Sequence, residues 1–87
     1  MVRHIDQFEI VFAETYPHFT NTLIKRFDNL SYSEIRVCMY VRMGYPNEKI
    51  IKNLRISKHT LANLRSSIRK KLGLKRNQEL AIIIMSI

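Results

Sequence analysis

Residues 57–73 read SKHTLANLRSSIRKKLG, and both ends of this stretch carry helix-boundary chemistry. Ser57 is an N-cap residue type, because its hydroxyl can accept from the orphan amides of a first helical turn. At the other end Gly73 can take the left-handed conformation that closes a helix. Arg69, Lys70 and Lys71 fall in the last turn, where the negative end of the helix dipole favours cations. The spacing predicts a helix over 58–72. On a wheel of about 100° per residue, Leu61, Leu64, Ile68 and Leu72 lie within roughly 80° of one another and form one apolar stripe for packing. The opposite face carries His59, Asn63, Ser66 and Lys70, with Ala62 and Ser67 at its margins, while Arg65, Arg69 and Lys71 lie between the faces. Apart from Lys70 the outer face is short or polar, which lets a helix approach a partner closely.

Upstream, Ile50, Ile51 and Leu54 share one face of a short helix whose other side holds Glu48, Lys49, Lys52 and Asn53, and Ile56-Ser57 turns the chain. Two helices joined by a tight turn, the second long and basic, make the pattern of a helix-turn-helix. Pro46 suits the first position of the shorter helix and Gly44 the left-handed exit of the one before it. That earlier helix begins at the capping box Ser31-x-x-Glu34 and continues through Ile35, Val37, Cys38, Met39, Val41 and Met43. Ile5, Phe8, Val11 and Phe12 recur at three and four, as do Phe19, Leu23 and Phe27 at four, with Tyr16-Pro17 as the break between two N-terminal helices. Downstream, Asn77 is placed to cap a last helix carrying Leu80, Ile83, Ile84 and Ile87. No strand competes, so the fold class expected is all-α, a small helical bundle.

The charge is uneven. The 87 residues carry 15 Lys and Arg against 7 Asp and Glu, a formal net charge of +8, yet residues 1–48 are close to neutral and residues 49–87 hold ten basic residues and only one acidic one, Glu79. Such a segment repels itself until an anion is present. A solvated helical surface would explain a charge run, and an acidic membrane surface would attract it. Membrane-lying helices, however, need large apolar anchors opposite the basic face, and here the apolar residues have the spacing of an internal core. Nucleic acid is the polyanion that fits.

Other function classes find little support. Two glycines leave no phosphate-cradling loop, and no acid, base and nucleophile assemble, so no enzyme and no cofactor are expected. His4, His18 and His59 have no second ligand-type residue at zinc spacing, and no metal is expected. Cys38, inside an apolar helix, reads as a core residue. No apolar run approaches the roughly 20 residues that cross a bilayer. One cysteine and no secretory start lead to the expectation of a reducing, cytoplasmic setting.

Residues 30–87 resemble the LuxR-type, GerE-like helix-turn-helix domain of bacterial transcription regulators. Leu30-Ser31 with Glu34 is similar to that family's L-[ST]-x-x-E, Gly44 with Asn47 and Ile50 to G-x-S-N-K-E-I, and Leu54-x-Ile56-Ser57 to L-x-I-S. Thr60-Leu61, Asn63, Arg65-Ser66, Ile68 and Lys71-Leu72-Gly73-Leu74 resemble T-V-K-N-H-R-S-N-I-x-x-K-L-G-L, the recognition helix and its exit. Pro46 stands where the family has a serine cap, Ile51 where it has alanine, Ala62 where a lysine is frequent and Leu64 where a histidine is common. Residues 1–29, through Phe8 and Tyr16-Pro17-x-Phe19, are similar to a helical extension found in some regulators of Bacteroidetes.

The resemblance implies a DNA-binding function in transcription regulation, with the helix over 58–72 in the major groove of double-stranded DNA. His59, Ala62, Asn63 and Ser66 are the expected base-facing residues. Lys58, Arg65, Ser67, Arg69, Lys70, Lys71 and Lys75 are the expected phosphate contacts. The last helix is expected either to pack under the N-terminal helices or to form a homodimer seam through Leu80, Ile83, Ile84 and Ile87. The alternative function is a helical protein-interaction module whose basic surface binds an acidic partner such as RNA polymerase, in the manner of a sigma-like domain.

Overall fold

The computed structural model describes residues 7–87, and six helices run in order through them: α1 (Gln7–Thr15), α2 (Phe19–Arg26), α3 (Tyr32–Arg42), α4 (Asn47–Leu54), α5 (Lys58–Lys71) and α6 (Leu80–Met85). Ile5 and His4, read above in the sequence, lie outside the described residues. No strand occurs among the described residues, in keeping with an all-α bundle.

Helix α3 is the hub, with α5 and α6 both packed on it. Its start is fixed by the capping box: the Glu34 N–H donates to Ser31 Oγ at 3.2 Å while the Ser31 N–H donates to Glu34 Oε1 at 2.7 Å. Its inward residues Val37, Cys38, Tyr40 and Val41 join Phe12, Phe19, Leu23, Ile50, Leu61, Ile68, Leu80 and Ile84 in one core. Residues from all six helices therefore share a single apolar interior, which is how so short a chain removes enough surface from water.

Helix α1 is held to α3 by rings and by charge. Phe8 stacks on Tyr40 with centroids 3.9 Å apart, while Phe12 meets Phe19 of α2 edge-on at 5.3 Å. Beside the rings, Tyr32 Oη donates to Glu9 Oε1 at 2.6 Å and Arg36 Nε stands 3.7 Å from the same oxygen. Offset and edge-on ring pairs add about 0.5–1.5 kcal/mol beyond the area they bury. Tyr40 was not among the apolar residues read into α3 from the sequence. Val11 was read into the apolar face of the first helix, and it is exposed, because α1 turns the face of Phe8, Glu9 and Phe12 inward.

Both glycines occupy left-handed exits. Gly44 has φ +79° and Gly73 has φ +71°. In each case the glycine N–H and the one after it return to the helix, Gly44 to Val41 O and Tyr45 to Tyr40 O, Gly73 to Lys70 O and Leu74 to Arg69 O. This double closure satisfies the last carbonyls of α3 and α5. Helix α4 leaves through the same geometry without a glycine: Arg55 has φ +56° and ψ +47°, a conformation that crowds Cβ against the carbonyl. At the other end of α4, Pro46 is the N-cap rather than the first helical residue, and it offers no side-chain acceptor.

Helix α6 packs on α3. Of the expected seam of Leu80, Ile83, Ile84 and Ile87, Leu80 and Ile84 are 2% and 0% exposed and lie in the chain's own core, Ile87 packs at its edge, and Ile83 is half-buried. The outward residues of α6 are Ile82 and Met85, 64% and 48% exposed. Asn77 does not cap this helix. The preceding turn is closed by the Gln78 side chain, whose Oε1 accepts from the Lys75 N–H at 2.7 Å, and the N-cap falls on Glu79.

Replacing Arg55 with glycine is expected to raise stability by about 1 kcal/mol, the left-handed penalty less the extra freedom of the unfolded chain. Urea unfolding midpoints for the Arg55→Gly and parent proteins check this, and a lowered midpoint contradicts it.

Candidate nucleic-acid interface

Helix α5 begins at Ser57, whose Oγ accepts from the Thr60 N–H at 3.0 Å and donates to Thr60 Oγ1 at 2.9 Å. This closes the turn that follows Arg55 and sets where α5 starts relative to α4. Leu61 and Ile68 are buried, with Leu64 and Leu72 half-buried beside them, so the apolar stripe faces the core. Ile51, at the position where alanine was noted above, is half-buried in the cleft between the two helices and lines it together with Leu61, Ala62 and Arg65.

Opposite the stripe, His59, Ala62, Asn63 and Ser66 are all exposed, as is Lys70. The four expected base-facing residues thus share one open face. The expected phosphate residues divide differently. Lys58, Lys70 and Lys75 are exposed, and Arg65 is half-buried. The other three have partners inside the protein: Ser67 Oγ donates to Glu34 Oε2 at 2.5 Å, Lys71 Nζ to Glu34 Oε1 at 2.7 Å, and Arg69 to the carbonyls of Gln78 and Lys75 at 2.7 and 2.9 Å.

Glu34 is the acceptor on which one flank of α5 converges. It is 4% exposed and receives the Ser31 N–H, Lys71 and Ser67. Burial alone would raise its pKa, but the hydrogen bonds from Lys71, the Ser31 backbone and Ser67, with the Lys71 charge, outweigh it and hold the carboxyl down at about 2. Sequence reading placed Glu34 in the capping box and Lys71 on a phosphate. Their pairing spans 37 residues, and nothing local in the sequence signals it. Nearby, burial with help from the Glu34 charge pushes the Cys38 thiol up to about 12, against a smaller lowering by Arg65. The thiol stays protonated and acts as packing.

On the opposite flank Glu48 and Glu79 are exposed, and among the described residues no ion pair joins either of them to α5. Lys58, Arg65 and Arg69 project along it, toward α4 at one end and the α5–α6 loop at the other. Burial lowers the pKa of Arg65 and the neighbouring Arg69 charge lowers it further, with a small opposing effect from Cys38. No helix among the described residues is long and apolar enough to cross a membrane.

Residues 28–84 match the GerE family model, described as bacterial regulatory proteins of the luxR family. Comparison with curated proteins and with solved structures found no match.

Because the folded carboxyl of Glu34 titrates near 2 and an ordinary one at 4.5, its contribution to stability is full above pH 4.5 and is lost as pH falls toward 2. Replacing Glu34 with glutamine is expected to cost about 1–3 kcal/mol near neutral pH and to flatten that acid limb. Unfolding free energies measured from pH 2 to 7 check both; an unchanged acid limb in Glu34→Gln contradicts the assignment.

Proposed function

The chain belongs to the luxR family of bacterial regulatory proteins, helix-turn-helix proteins that bind DNA in transcription regulation, and on that premise we propose that α5 lies in the major groove of a specific duplex. The observation that supports this most is the division of α5 into a buried apolar stripe and an open face of His59, Ala62, Asn63 and Ser66. Side chains this short let the helix axis come near base edges, where the major groove distinguishes all four base pairs. Asn63 is the residue with matched donor and acceptor for adenine. Ser66 and His59 supply single donors or acceptors, and Ala62 offers a methyl to thymine.

Around that face, Lys58, Lys70 and Lys75 are proposed as phosphate contacts, since each is exposed and each can release a counterion from the duplex. Arg65 is proposed with them. Lys71 and Ser67 are not retained, because contact with phosphate would strip Glu34 of its partners and leave a buried carboxylate uncompensated. Arg69 is likewise engaged by backbone carbonyls. Within the chain, residues 30–87 are proposed as the DNA-binding unit and residues 1–29 as a helical extension, whose Phe8 and Glu9 brace α3.

The two groups of residues should fail differently. Lys58→Ala and Lys70→Ala are each expected to weaken binding to every duplex and to lower the slope of log K against log salt by about 0.9. Lys71→Ala is expected to leave that slope unchanged and to lower stability. Asn63→Ala is expected to relax preference at one base pair, worth about 1–3 kcal/mol. Fluorescence anisotropy over a potassium chloride series, with random and selected duplexes and with an acidic polypeptide as competitor, measures the slopes and the base preference, and urea unfolding measures the stability of Lys71→Ala. Salt-independent binding, or displacement by the polypeptide as readily as by DNA, would favour an acidic protein partner instead.

A further inference from the structure

The loop joining α5 to α6 is organised by Arg69. Its guanidinium donates through Nη1 to the Gln78 carbonyl at 2.7 Å and through Nη2 to the Lys75 and Arg76 carbonyls at 2.9 and 3.5 Å. The turn is locked again by the Gln78 side chain on the Lys75 N–H. Between this loop and α5 opens a groove of about 360 Å³ lined by Arg65, Arg69, Arg76 and Gln78, with Glu79 on the same wall. A water occupies about 30 Å³ of liquid, so a tetrahedral oxyanion and part of its hydration fit there.

Arg65 is the unusual member. It is half-buried one helical turn from Arg69, with Glu48 lining the cleft on its α4 side and Glu79 the groove on its α6 side, yet among the described residues no ion pair or hydrogen bond engages it. Its counterpart on the other flank, Lys71, has Glu34. A partly desolvated cation beside a like charge raises the energy of the folded chain until an anion arrives. Glu79, the one acidic residue after position 48, offsets one of the three guanidinium charges and leaves the groove cationic. Arginine suits phosphate in particular, because its planar fork donates two parallel hydrogen bonds.

We propose that this groove is a phosphate seat, in which Arg65 and Arg76 grip one backbone phosphate of the bound duplex and Arg69 is the positioning residue that holds the loop in place. The inference rests on the DNA-binding reading and extends the interface from α5 to the loop that follows it. A seat built from two elements fixes how far α5 slides along the groove, which a row of flexible lysines on one helix does not.

The same chemistry would accept a free phosphate or nucleotide, and two measurements separate the sources. The first is duplex affinity against salt for Arg65→Ala, Arg76→Ala and the double variant, with thermal melting as the check on folding. One shared phosphate predicts that the double variant loses about 0.9 in slope, roughly tenfold in affinity at 0.1 M salt, and not the roughly 1.8 of two independent contacts. Arg69→Lys keeps the charge but loses the planar fork whose two ends reach the Gln78, Lys75 and Arg76 carbonyls, so affinity and slope should both fall as in Arg76→Ala. The second measurement follows the Arg65 Nε–H resonance on titration with inorganic phosphate and, separately, with duplex at matched ionic strength. It is expected to move with duplex at concentrations where inorganic phosphate has no effect. A double variant with the parent slope overturns the seat while leaving DNA binding intact. Failure of the parent protein to bind any duplex overturns the DNA-binding reading itself. Movement with inorganic phosphate and none with duplex overturns the backbone source.

Discussion

The carboxylate of Glu34 is the constraint on which the rest of the structure depends. It closes the N-terminus of α3 and accepts Ser67 and Lys71 of α5. One group thus fixes both the start of the hub helix and the rotation of the helix that faces outward. Replacing a buried ion pair with apolar groups often costs nothing in stability, whereas removing one partner costs a great deal. The value of such a pair lies in specifying one arrangement. Had α5 packed through leucine and isoleucine alone, its rotation on α3 would rest on interdigitation only, and neighbouring ridge-and-groove settings lie close in energy.

The tie also divides the charge of α5. Ten basic residues follow Glu48, but they are not equivalent. Lys71 is neutralised by Glu34, and Arg69 is committed to the carbonyls that shape the next loop. Lys58, Lys70 and Lys75 are open, and Arg65 is half-buried with no ion pair or hydrogen bond among the described residues. The flank that meets Glu34 is therefore structural, and the other carries both the Arg69 clamp and the free cations. A net charge of +8 overstates what is available to a polyanion, and the arrangement says more about function than the total does.

How much of this was legible in the sequence follows from the range of each interaction. The start and end of α5, the Ser31–Glu34 box and both glycine exits are set by residues within a few positions of one another, and residue type and spacing were enough to find them. The buried stripe of Leu61 and Ile68 came from periodicity. The Glu34–Lys71 pair, the Phe8–Tyr40 stack and the Arg69 clamp were not found. Each of the first two joins residues more than 30 positions apart, and the clamp uses backbone carbonyls, which no side-chain pattern encodes. For α6 the apolar residues were seen but not their neighbours. Its nearly continuous hydrophobicity suited a core or a seam equally, and only the packing on α3 decides for Leu80 and Ile84.

The central claim is that the outward face of α5 is the part of this protein that meets DNA. Backbone and side-chain amide shifts of the nitrogen-15-labelled chain, followed while duplex DNA is added at low salt, test it most directly. The account predicts that the perturbations centre on His59, Ala62, Asn63 and Ser66, with the Asn63 carboxamide among the largest. Perturbations confined to α1 and α2, with the face of α5 unmoved at saturating duplex, would contradict it.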